Sequence, residues 1–152
     1  MDDKKRPGGL TALAVINFIF AGFDVIGVIG LTVSMTMLGK LPTDGMTAAQ
    51  KAQIQELQNI DPSIFTVNIG INVIFFVLLL LSGIGYLNQK KSLGRMVGNI
   101  YGALGVIGVI AIATIFPQEV GGGFGIMSII GIIYPALTLI LLNTTFKDDL
   151  IN

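Results

Sequence analysis

The sequence predicts an all-α protein: a four-helix transmembrane bundle forming a single domain over residues 1–152, with both termini on the cytoplasmic side. Three observations predict it. The chain is 53% hydrophobic and only 12% charged, where a soluble globular domain carries about 25% charged residues. Four apolar stretches each approach or exceed the roughly 20 residues that a helix needs to cross a hydrocarbon core of about 30 Å. The cations are distributed unequally between the two sides that those stretches define.

The first stretch runs from about residue 10 to 38 and is interrupted only by Asn17 and Asp24. It is too long for the 7–15 residue apolar region of a cleaved signal peptide, so a retained helix is expected. The loop from 39 to 63 follows. Within it Thr47-Ala48-Ala49-Gln50 matches a capping box, and the stretch up to Ile60 is rich in helix formers. Ile54, Leu57 and Ile60 would give that short outer-loop helix a narrow apolar stripe. A surface position explains such a stripe more economically than a docking role.

The second stretch covers about 64–87, with Asp61 as N-cap and Pro62 as first helical residue. The third covers about 96–116 and is stopped by Pro117. The fourth covers about 124–142 and is preceded by Gly121-Gly122-Gly123. Because lipid offers the backbone no hydrogen-bond partner, all four are expected to be helical.

Orientation follows from the cations. Lys4, Lys5, Arg6, Lys90, Lys91, Arg95 and Lys147 fall on one side, against Lys40 and Lys51 on the other. The positive-inside rule then places both termini and the second loop in the cytoplasm. Short loops and the lack of a sorting signal point to a bacterial inner membrane. The layout is similar to that of claudins, tetraspanins and MARVEL proteins, but the first two carry outer-loop cysteines and this chain has no cysteine, so no family is assigned.

A faint internal duplication is present. A Lys-Lys pair, an asparagine and the string Val-Ile-Gly-Val-Ile recur in order, as Lys4-Lys5, Asn17 and Val25–Ile29, then Lys90-Lys91, Asn99 and Val106–Ile110. Two parallel-related helical hairpins would explain it. Chance matching in low-complexity apolar sequence explains it equally well.

Composition also removes function classes. Zero net charge argues against nucleic acid. Histidine and cysteine are both absent, which removes the commonest general base, the commonest metal ligand and thiolate chemistry. No nucleophile–base pair, phosphate-binding loop or metal-ligand cluster is legible, so an enzyme is not expected, and no cofactor or metal is implied.

The remaining candidates lie inside the apolar stretches. Asp24 has the strongest functional claim, because an intramembrane carboxylate costs about 2.5–3.5 kcal/mol on insertion scales. Counting 1.5 Å per residue, Asp24 falls about 21 Å from the inner face, level with Asn68 and Asn72 of the second stretch. Asn17, Asn99 and Thr138 form a second polar layer nearer the inner face, and Tyr134 can supply a hydroxyl to the interior. Gly94, Gly98, Gly102, Gly105 and Gly108 line one side of the third stretch and include a small-xxx-small pattern. Packing within the bundle accounts for that stripe more simply than a dimer face does. Pro135 is expected to kink the fourth helix and free the Gly131 carbonyl.

Two readings follow. The leading one is a non-enzymatic membrane component that packs with itself or with other membrane proteins, with the lipid bilayer as its surroundings. The alternative is a small proton or cation channel or transporter that uses Asp24. Lipid binding between kinked helices is a third, resting only on Pro135 and the glycines.

Overall fold

The computed structural model describes residues 6–37, 40, 45–115, 123 and 125–150, apart from the side chains of Leu57 and Met127. Expectations resting on Lys4-Lys5, Leu38, Leu57, Phe116-Pro117, Gly121-Gly122 and Phe124 lie outside that description.

Among the described residues the protein is entirely helical, with no strand. The helices are α1 (Gly8–Met37), α2 (Ala48–Gln58), α3 (Pro62–Leu87), α4 (Val97–Ile115) and α5 (Ile126–Asn143). α1, α3 and the stretch Lys91–Ile115 ending in α4 are each long and apolar enough to cross a membrane. α5 is a shorter apolar helix.

Local sequence explains the helix starts. Thr47 N–H donates to Gln50 Oε1 at 2.9 Å, and Gln50 N–H donates to Thr47 Oγ1 at 3.3 Å, the reciprocal pair of a capping box at the head of α2. Asp61 caps α3 by accepting from Ser63 N–H at 2.9 Å, with Pro62 at the first helical position, where its missing N–H costs nothing.

One feature was not legible in the sequence. Lys91–Met96 forms a π-helical turn that leads directly into α4. It coincides with a close backbone crossing: a Cβ at Gly85 would overlap the backbone of Leu93 and Gly94. α3 leaves that crossing through Gln89, which takes φ 51°, a left-handed conformation uncommon for a side-chain-bearing residue.

Packing is pairwise. α1 lies chiefly against α3, and α4 chiefly against α5, with α3 also touching α4. The firmest core is at the end carrying Arg6, Lys90 and Lys147, here the basic end. Leu10, Leu13, Ala14, Tyr86, Leu142, Phe146 and Leu150 are all buried there. After α5 the chain turns back over this end. Phe146 occupies the notch at Gly9, and Leu150 lies against Gly94. Arg6 Nη1 donates to the Leu87 carbonyl at 2.8 Å and so satisfies an end of α3.

Away from the core the surface is apolar. Val15, Ile19, Phe23, Ile26 and Ile29 follow one another at three- and four-residue steps along α1 and are each at least 50% exposed. A helix apolar on its outward face as well as its inward one is suited to lipid, not to water.

Candidate functional site

Polar side chains within the apolar helices fall into three groups with different states of satisfaction. The first ties α1, α3 and α5 together. Asn17 is fully buried. Its Nδ2 donates to Ser82 Oγ at 2.7 Å and to the Leu79 carbonyl at 3.4 Å. Its Oδ1 accepts from the Tyr134 hydroxyl, which also reaches the Leu13 carbonyl at 3.3 Å. Donors and acceptor of the amide are thus all used. Thr138, also fully buried, donates back to the Tyr134 carbonyl at 3.0 Å.

The second group joins α4 to α5 near the basic end. Asn143 Nδ2 donates to Asn99 Oδ1 at 2.7 Å, and Asn99 Nδ2 returns a bond at 3.3 Å. Arg95 Nη2 donates to the same Asn143 oxygen at 3.3 Å. Asn99 therefore shares no bond with Asn17, and the single polar layer expected from depth alone is two separate pairings. Ser82 and Asn143 were missed as partners. The signal that could have found them is simply a polar residue inside or at the end of an apolar run.

The third group contains Asp24. The Asn72 amide nitrogen does not turn to Asp24. Asn72 Nδ2 donates to the carbonyl and to the Oδ1 of Asn68, both at 2.8 Å, one turn back on its own helix. Asn72 Oδ1 faces Gly27, about one turn beyond Asp24. Asp24 Oδ2 is shielded from the surface and has no hydrogen-bond partner among the described residues. An unpartnered carboxylate oxygen in such surroundings is costly, so its persistence calls for a reason.

Asp24 lines a cavity of about 160 Å³ among α1, α3, α4 and α5. α1 contributes Phe20 and Asp24, α3 contributes Phe75 and Leu79, and α4 contributes Tyr101 and Gly105. α5 contributes Gly131, Tyr134 and Pro135. Phe20 and Asp24 are four residues apart and hence on one face of α1. The glycines allow close packing in its wall: a Cβ at Gly105 would come within 2.7 Å of the Pro135 ring, and one at Gly131 within 3.1 Å of Val109.

The other glycines of that stripe meet side chains of the same chain. Gly98 abuts Tyr86 and Leu142, Gly102 abuts Leu139 and the Pro135 carbonyl, and Gly108 abuts Phe75. Pro135 sits inside α5, which remains helical on both sides of it, and its ring faces the α4 glycines.

Toward the basic end the cavity is closed by the Asn17–Ser82–Tyr134 link and then by the apolar core. A larger hollow of about 520 Å³ lies over Lys91, Ser92, Arg95, Met96 and Asn99. It is a surface feature at the basic end, whereas the smaller Asp24 cavity lies among helices and has an intramembrane carboxylate in its wall. Among the described residues no group of three or more Asp or Glu side chains converges. Compared with known protein families, curated proteins and solved structures, the chain matches none.

Proposed function

We propose that the protein is a small integral membrane channel or transporter for protons or other cations, with Asp24 as its cation-binding group. The supporting observation is Asp24, which lines a cavity between α1, α3, α4 and α5 and whose Oδ2 is buried with no hydrogen-bond partner among the described residues. Intramembrane carboxylates are expensive and usually mark ion sites or relays. One that served packing alone would be expected to bond to the nearby amides, yet the donors of Asn72 are turned to Asn68.

In this reading the chain crosses the membrane four times. α5, at 18 residues, spans about 27 Å, close to the hydrocarbon thickness. The basic end is cytoplasmic by the positive-inside rule, and a bacterial inner membrane is the proposed location. The cavity is then open to the outer half of the bilayer and closed toward the cytoplasm, as one state of an alternating or gated pathway.

The competing reading is an assembly component. The glycines of the α4 stripe meet atoms of the same chain, which favours packing within the bundle over a dimer face at that stripe. Its remaining basis is the outward apolar face of α1, which lipid covers as well as a partner would.

The discriminating experiment is a pH-jump and cation-gradient flux assay in liposomes. Wild type should carry a flux that Asp24→Asn abolishes. No flux in either, with both folded, would return the protein to the assembly reading.

A further inference from the structure

The wall of the Asp24 cavity discriminates among cations, and this inference rests on the cation-site reading above. Four aromatic rings border the cavity in an unbroken chain. Phe20 and Tyr134 have centroids 4.8 Å apart, Tyr134 and Tyr101 are 6.1 Å apart, and Tyr101 and Phe75 are 6.1 Å apart. Most of the remaining wall is aliphatic.

That lining is poor in oxygen. Hard divalent cations such as Ca²⁺ take about 6–8 oxygen ligands. Here the neighbouring polar groups are committed elsewhere: Asn17 to Ser82 and Tyr134, and the Asn72 amide to Asn68. A weakly hydrated organic cation has the opposite requirement. Its charge is spread over C–H groups that the negative faces of aromatic rings attract, most strongly where water is excluded.

Charge and size narrow the class. One carboxylate balances one positive charge. A volume of about 160 Å³ is close to that of the roughly 150 Å³ apolar cavities that admit benzene. Ile130 lines the cavity and is itself 45% exposed, so the space reaches the outer surface of the helices beside α5. A lipophilic guest can therefore arrive from the bilayer.

We propose that the Asp24 cavity binds a monovalent organic ammonium whose head group is the size of a phenyl ring or a quaternary methylammonium. Asp24 supplies the counter-charge, and Phe20, Phe75, Tyr101 and Tyr134 supply the ring faces.

The test is calorimetric titration of the full chain in detergent with phenyltrimethylammonium and with tert-butylbenzene, its uncharged isostere. Saturable binding of the cation is expected, with the neutral isostere at least about tenfold weaker. Asp24→Asn should weaken cation binding by about tenfold or more, and Phe20→Leu by several-fold. Equal binding of the two probes to wild type would overturn the proposal, and that comparison needs no variant to fold. Undiminished cation binding in folded Asp24→Asn would overturn it too. Absence of cation binding alongside Asp24-dependent proton flux would overturn this inference and leave the ion-site reading standing. Absence of both would overturn both.

Discussion

The two ends of the helix packing are built on opposite rules. At the basic end every element closes on its neighbour. Gly85 and Gly94 bring two backbones together, Tyr86 and Leu142 fill the space at Gly98, and Phe146 and Leu150 fold back as a cover. Asn17 and Ser82, just beyond that end, are bonded, although the buried Tyr86 hydroxyl within it has no hydrogen-bond partner among the described residues. About 10 Å further along α1, Asp24 Oδ2 has no hydrogen-bond partner among the described residues, and a cavity bordered by four aromatic rings remains. The difference separates roles. One end is tightly filled, and the other keeps a cavity with a carboxylate in its wall, which is where the proposed ion site lies.

Substitutions can break that contrast. The largest effect is expected at the tight end. Gly85→Val would press a branched side chain into the backbone of Gly94, where nothing flexible can yield. A loss of about 3 kcal/mol, the upper end for overpacking, or outright failure to fold is expected in thermal unfolding in detergent.

Next comes the link between the two ends. Asn17→Leu would leave Ser82 and the Tyr134 hydroxyl without their shared partner. Measured membrane hydrogen bonds are worth at most about 1.7 kcal/mol, so a loss of about 1–2 kcal/mol is expected. Opening the cavity toward the basic end should also raise any flux, which liposome assays would detect.

At the open end the sign reverses. Asp24→Leu replaces an unsatisfied carboxylate with an apolar group and should raise stability by about 1 kcal/mol or more while abolishing flux and binding. A large loss of stability at this position would show that Asp24 is a packing element after all.

The smallest effect belongs to Asp61, which lies outside the long helices and is fully exposed. Its bond from the Ser63 backbone N–H holds its carboxyl below the ordinary value of 3.8. A group whose folded pKa is depressed stabilises the fold above its unfolded pKa and loses that contribution as pH falls through the folded value. Wild type and Asp61→Ala should therefore differ slightly at neutral pH and converge in strong acid, as seen by fraying of the α3 start in hydrogen exchange.

How much of this was legible in the sequence depended on whether the signal was local. The caps at Thr47 and Asp61 are read from residues within three positions of each other, and the structure has both. The long apolar helices follow from composition over about 20 residues. The partners of the polar residues were not legible in the same way. Depth along a helix placed Asn72 near Asp24, but depth carries no information about azimuth, and the Asn72 amide turned along its own helix to Asn68. Asn99 was likewise assigned to a layer with Asn17 and instead pairs with Asn143 across the α4–α5 contact. The cavity was hidden for a further reason. Its lining comes from four helices, among them Gly105 of α4 and Gly131 and Pro135 of α5, and a space between helices leaves no periodic trace in any one of them. The π-helical turn at Lys91–Met96 is similar, since it coincides with a crossing with Gly85 that only the folded chain brings about.

The most direct test of the central claim is labelling of the folded protein in liposomes with a membrane-soluble carbodiimide, with the modified residue located by mass spectrometry. A carboxyl group on a lipid-accessible cavity adds across the reagent to give a stable acylurea, and a bound cation competes with that reaction. Modification at Asp24 that falls as a permeant cation is added is the predicted result. An Asp24 that stays unlabelled in the folded chain, or is labelled at a rate indifferent to every cation tried, would contradict the account.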